Sequence, residues 1–236
     1  MKGRILNMNE IKKSTLLTLR ILAVSGMIAT IFYLGHVIGG RMIWTEYNPL
    51  SQPISDLTAA SSISRPVASK ILWGYDIFNL LFCGVLVIFF NKIYKINITF
   101  YIGIVLKTLA EILSTIGYKI FPLSDTTWEN SFQNTMHYAI TAIIVISYIV
   151  LSIMLVIGLS KTKKHYKMLR FLRVFCVVFI ASGFLTVIAT QALPPYVGLI
   201  ERVNLYSLMV LKFALSLWVL NLLSLLPLKT DEVVKI

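Results

Sequence analysis

Charge is scarce in this chain, and acid is scarcer than base: 14% of its 236 residues are charged, with 10 Asp and Glu against 22 Lys and Arg. With 57% of the residues hydrophobic, too little polar sequence remains to clothe a separate soluble domain. Cysteine is nearly missing. Cys83 and Cys176 stand alone, which excludes a disulfide-stapled secreted framework and a Cys-based zinc site. Neither a Gly-x-Ser-x-Gly elbow nor a His-Glu-x-x-His pair occurs, so the familiar sequence signatures of a serine hydrolase and of a zinc hydrolase are both lacking. There is no small-x-small cleavage site either: the apolar stretch that follows Lys2, Arg4, Lys12, Lys13 and Arg20 runs on to Gly39-Gly40-Arg41 and reads as a retained span, not a secretory signal.

What the chain does have is six long apolar runs, at about 16–38, 70–90, 98–120, 136–159, 171–192 and 205–226. Each is near the roughly 20 residues a helix needs to cross the ~30 Å hydrocarbon core. Backbone groups find no water in lipid, and continuous apolar runs do not fit the alternation of a barrel strand. The expectation is an all-α polytopic helix bundle with six transmembrane helices, in one membrane-embedded domain over 1–236.

Lys and Arg gather in the N-terminal tail, the second and fourth gaps and the C-terminal tail, most densely at Lys161, Lys163, Lys164, Lys167, Arg170 and Arg173. Basic flanks are retained in the cytoplasm, so both termini and these gaps are expected inside a plasma membrane and gaps one, three and five outside. The +12 net charge is then a topology signal in contact with anionic headgroups, and no nucleic-acid partner is needed. His165 is read as part of the solvated basic loop. Gly35 and Gly39 form a small-x-x-x-small pattern read as internal helix packing.

The outward gaps hold the unusual residues. The first contains Asn48-Pro49-Leu50-Ser51-Gln52-Pro53-Ile54-Ser55-Asp56-Leu57 and then Arg65; its prolines disfavour helix just before them, and Ser55 or Asp56 is a candidate cap for a short helix. The third contains Phe121-Pro122-Leu123-Ser124-Asp125 and leads to His137, and the fifth Gly198-Leu199-Ile200-Glu201-Arg202. Together Ile54-Ser55-Asp56-Leu57, Phe121-Pro122 with Asp125, His137 and Gly198-Leu199-Ile200-Glu201-Arg202, in this order among six spans, resemble the bacterial domain-of-unknown-function 998 family. The resemblance covers nearly the whole chain. It implies a six-span membrane protein and transfers no reaction.

Four ionisable residues fall inside spans: Asp76, Lys107, Glu111 and Lys212. Such residues cost a few kcal/mol or more unless paired or hydrated, and Lys107 and Glu111, four apart, share one helix face. Three readings stand: a buried ion network that fixes helix rotation, the floor of an outward-opening polar cavity rimmed by Asp56, Arg65, Asp125, His137, Glu201 and Arg202, or lysines that snorkel outward without a network. With Trp44, Trp73 and Trp128 near the interface, such a rim suits a zwitterionic headgroup or a peptide.

The functional expectation is a plasma-membrane protein that recognises a lipid, peptide or membrane partner through this cavity, with no cofactor or metal. The alternative is an outward-facing lipid hydrolase or transferase, with Ser51, Ser55 or Ser124 beside His137 and Asp56, Asp125 or Glu201 orienting the ring. A metal site drawing on His36 and His137 and a small-solute transporter are the further possibilities.

Overall fold

A computed structural model describes residues 13–124 and 131–226. It contains six long helices, α1 (Lys13–Ile43), α2 (Arg65–Ile88), α3 (Ile98–Ile120), α4 (Phe132–Ser160), α5 (Tyr166–Ala192) and α6 (Val197–Ser224). All six are long and apolar enough to cross a membrane, and no strand occurs among the described residues. Their outer faces carry exposed Ile31, Ile116, Ile146, Val177, Val187 and Val210. In water such faces would form one contiguous apolar surface, whereas in lipid they are solvated. The protein is a multi-pass membrane helix bundle.

Each helix packs on its sequence neighbours, and α6 returns to α1, so the six close into a ring. The connections alternate between its two ends. At one end Ala60 N–H donates to Leu123 O at 2.7 Å and Leu199 N–H to Leu50 O at 2.9 Å, joining the connections after α1 and α3 and the start of α6. At the other, Arg20 on α1 donates to Leu223 O on α6 at 3.3 Å, and Tyr94 bonds His165 at 2.8 Å. We call the first the loop end and the second the terminal end.

The ring centre at the terminal end is filled. Phe90 packs edge-on to Phe100 and against Trp218 at 5.0 and 5.4 Å between centroids, with Phe82, Leu151, Leu155, Leu172, Phe179 and Val219 also buried. Small residues set a close seam between α1 and α2. A methyl at Gly26 would lie 2.7 Å from the Phe82 ring, and one at Gly74 would lie 2.3 Å from that of Phe32, so each helix seats an aromatic of the other on its backbone. Gly35 and Gly39 also face α2, through Ile71. The small-x-x-x-small pattern is therefore internal packing.

Every long helix but α3 starts before its apolar stretch, because a helix end leaving the hydrocarbon tolerates polar residues. Ser131 caps α4 by accepting Asn134 N–H at 3.1 Å, Asn97 caps α3 by accepting Phe100 N–H at 3.0 Å, and Pro66 opens α2. Arg65, His137, Glu201 and Arg202 thus stand on helices, where the apolar runs alone put them in gaps or at a mouth. The short helix expected in the first gap is a 3-10 turn, Ile54–Thr58, in which Ser55 and Asp56 are internal and no side chain caps the start.

His165 corrects the solvated-loop reading. It takes a left-handed conformation (φ 59°, ψ 40°) ahead of α5, its ring lies against Trp218 at 5.3 Å, and Tyr94 is its hydrogen-bond partner. Burial and the Lys164 charge lower its pKa, which favours the neutral imidazole at this contact.

Candidate functional site: a cavity at the loop end

The ring is hollow above its aromatic filling. A cavity of about 600 Å³ opens there, bounded by all six helices and the 54–58 turn. From the filled end outward it presents Glu111 with Tyr75 and Tyr148, then walls that include Tyr33, Tyr118, Ile144, Leu205, Leu208 and Met209, and finally Asp56, Arg65, His137 and Glu201. Four of the six rim residues expected from sequence therefore line one space. Asp125 lies outside the described residues, as does Trp128.

The floor is an ion centre built on one carboxylate. Glu111 Oε1 lies 3.3 Å from Lys107 Nζ and 3.4 Å from Lys212 Nζ, and it accepts the Tyr148 hydroxyl at 2.5 Å. Oε2 accepts Asn79 Nδ2 at 2.7 Å and the Tyr75 hydroxyl at 3.2 Å. Lys212 also donates to the Tyr75 oxygen at 2.7 Å, and Lys107 reaches Cys83 Sγ at 3.6 Å. Glu111, Lys107 and Lys212 are 4%, 0% and 1% exposed, which removes outward snorkelling. Five donors from α2, α3, α4 and α6 converge on Glu111, so the centre ties four helices together.

Asp76 is not bonded into this centre. It pairs with Lys119 at 2.6 Å and accepts from Thr115 at 3.4 Å. Lys119 sits at the end of α3 with 45% of its side chain exposed, its ammonium 4.7 Å from the centre of the Trp73 ring. Asp76 is thus compensated by a lysine that reaches inward from the loop end along its aliphatic stem.

Arg202 also departs from the expected rim role. It is turned from the cavity toward the first connection, where Nη1 donates to Pro49 O at 2.6 Å, Gln52 O at 2.9 Å and Gly198 O at 2.8 Å, while Nη2 bonds the Tyr47 hydroxyl. Burial pushes the Tyr47 phenol up, with Arg202 pulling the other way, so it keeps its proton and donates onward to Pro53 O at 2.8 Å. Glu201, one residue earlier, accepts Ile54 N–H at 2.6 Å. Gly198 completes the contact: a Cβ there would stand 2.3 Å from Gln52 O, so no side chain fits between α6 and the loop backbone. The Ile54-Ser55-Asp56-Leu57 and Gly198-Leu199-Ile200-Glu201-Arg202 segments are, in space, two halves of one joint that holds the 3-10 turn over the cavity.

The two cavity histidines are anchored through Nδ1. His137 Nδ1 lies 3.0 Å from Phe121 O and His36 Nδ1 lies 2.5 Å from Tyr33 O. A carbonyl only accepts, so each ring donates from a protonated Nδ1. Ser55 lines the cavity, whereas Ser124 Oγ donates to Asn134 Oδ1 at 2.8 Å. Among the described residues none of Ser51, Ser55 and Ser124 is hydrogen-bonded to His137, and no group of three His, Cys, Asp or Glu has a metal-binding arrangement.

The family model described as Protein of unknown function (DUF998) matches residues 27–218, which takes in α2 to α5 whole, both halves of the joint and all four charges of the spans. The chain belongs to the DUF998 family. No curated protein and no solved structure matches it. In this DUF998 member sequence reasoning missed Tyr75, Asn79 and Tyr148, which carry no net charge and so do not stand out in apolar runs. Their signal is a hydrogen-bonding group inside a span, which in lipid must find a partner.

Proposed function

We propose that this protein recognises a membrane lipid by taking its headgroup into the loop-end cavity, and that the cavity faces out of a plasma membrane with both termini cytoplasmic. The carrying observation is the cavity: its volume lies within the range of small-molecule sites, its wall is aromatic and aliphatic, and its two ends are charged. That polarity pattern matches an amphiphile at the edge of a bilayer better than a soluble peptide, which needs exposed backbone partners. The thinner α2–α3 and α4–α5 seams offer acyl chains a way to remain in the surrounding lipid.

The test is native mass spectrometry of the purified protein in mild detergent. Leu208→Trp or Ile144→Trp fills the cavity and is expected to reduce co-purified lipid several-fold, while Val177→Trp on the outer face leaves it unchanged. Equal lipid in all forms, or none in the unaltered protein, sinks the reading. Release of a fatty acid or headgroup during incubation, abolished by His137→Ala, would replace it by that of a lipid hydrolase or transferase.

Orientation is tested separately. Most basic residues lie at the terminal end, so a cysteine introduced at Gln52 is expected to react with an impermeant thiol reagent in intact cells and one at Thr162 is not. The reverse pattern overturns the orientation and leaves the cavity argument standing.

A further inference from the structure

Most charges in and beneath the cavity already have partners. Asp76 has Lys119, Glu111 has two lysines, and Asp56 is engaged as well. Two cavity-lining charges remain. Glu201 accepts a single backbone N–H, from Ile54, and makes no ion pair among the described residues; the guanidinium of neighbouring Arg202 is spent on three carbonyls and Tyr47. Arg65, at the first turn of α2, has neither a side-chain hydrogen bond nor an ion pair among the described residues. The carboxylate and the guanidinium line the same space without neutralising each other.

We infer that the ligand's polar end is a zwitterion, an ammonium received by Glu201 and a phosphodiester received by Arg65. This rests on the lipid-recognition reading and gives it a headgroup class. A purely anionic group would satisfy Arg65 and leave Glu201 facing like charge; a purely cationic one would do the reverse; an uncharged one would leave both desolvated and unmatched. Guanidinium is suited to phosphate through its paired donors. The phenols of Tyr33, Tyr118 and Tyr148 also line this space, while the Tyr75 ring already carries the Lys212 ammonium 4.0 Å from its centre. The same chemistry is carried by a phospholipid headgroup and by a free glycerophosphoethanolamine-type solute.

Lipid retention is measured in nanodiscs containing phosphatidylethanolamine, phosphatidylglycerol or diacylglycerol. Retention of the zwitterionic lipid is expected to exceed that of the other two by about tenfold or more, the effect of one charge-assisted hydrogen bond. Glu201→Gln keeps an oxygen for Ile54 N–H, so it is expected to fold with unchanged thermal stability and to lose the preference over phosphatidylglycerol. Arg65→Gln, at a residue with no side-chain partner, is expected to lose the preference over diacylglycerol. Soluble glycerophosphoethanolamine provides the second arm: displacement of the lipid at matching concentration assigns the site to the free solute, and failure to displace it assigns the site to the bilayer. Equal retention of all three lipids, or preferences unmoved in both variants, overturns the zwitterion while leaving lipid recognition intact. No retention of any lipid by the unaltered protein defeats the underlying reading instead.

Discussion

Replacing Glu111 by glutamine is expected to cost about 3–5 kcal/mol, the usual penalty for leaving a buried charge uncompensated, and to cost more than replacing either of its lysines. The asymmetry follows from stoichiometry. One carboxylate faces two ammoniums, from Lys107 and Lys212. Lys107→Met leaves Glu111 with Lys212 and with the neutral donors Tyr75, Asn79 and Tyr148, so the remaining charges still match. Glu111→Gln leaves two like charges side by side in a site almost closed to solvent. Adding Lys107→Met and Lys212→Met to Glu111→Gln removes the whole charge set and is expected to recover much of the loss, since apolar replacement of a buried ion group is often neutral or stabilising. Reversible unfolding in mixed micelles of the unaltered protein, Glu111→Gln, Lys107→Met, Lys212→Met and the triple variant measures these differences. A Lys107→Met variant as unstable as Glu111→Gln, or a triple variant less stable than either, would show that the centre does not work as a charge balance.

The legible parts of this fold are those in which neighbours in sequence are neighbours in space. The apolar run at 98–120 coincides with α3 (Ile98–Ile120), because Asn97 caps its start and Phe121-Pro122 stops it. Lys107 and Glu111 pair because four residues make about one helical turn. The illegible parts depend on reach and rotation. Lys119 lies at a helix end and reads as an outer charge, yet its long stem brings the ammonium to Asp76. Arg202 adjoins Glu201 in sequence, but successive residues on a helix point about 100° apart, so one lines the cavity and the other grips the loop. His165 sits among lysines and is nevertheless covered by Trp218, a contact that only the closed ring of helices creates. Asp56, His137 and Glu201 converge because the ring brings the connections after α1 and α3 and the start of α6 to one end, which charge counting anticipated without giving their partners.

The joint between α6 and the first connection carries the second large expected effect. Arg202→Gln is expected to destabilise the loop end by about 3 kcal/mol, the scale of lost hydrogen bonds to a charged group, while leaving the rest of the bundle folded. The guanidinium ties Pro49, Gln52 and Gly198 carbonyls and the Tyr47 hydroxyl and is 8% exposed. Glutamine cannot span these acceptors, and three carbonyls lose a charged donor. Lysine is not expected to rescue the defect, because a single ammonium cannot reproduce the planar spread of donors. Hydrogen exchange provides the local readout. The amides of Gln52, Ile54 and Leu199, bonded to Asn48 O, Glu201 Oε2 and Leu50 O, are expected to exchange about a hundredfold faster, as local opening of that free energy implies. Amides in the middle of α3 and α4 should stay protected. Co-purified lipid is expected to fall in parallel, because Ile54, Ser55 and Asp56 line the cavity from the segment that Arg202 holds. Unchanged exchange at Gln52 and Ile54 would remove Arg202 from this role, and loss of protection throughout the helices would make it a determinant of the whole bundle instead of the joint. Loosened 50–56 amides with lipid fully retained would separate the joint from the cavity and leave the site to the helix-borne residues His137, Glu201 and Arg65.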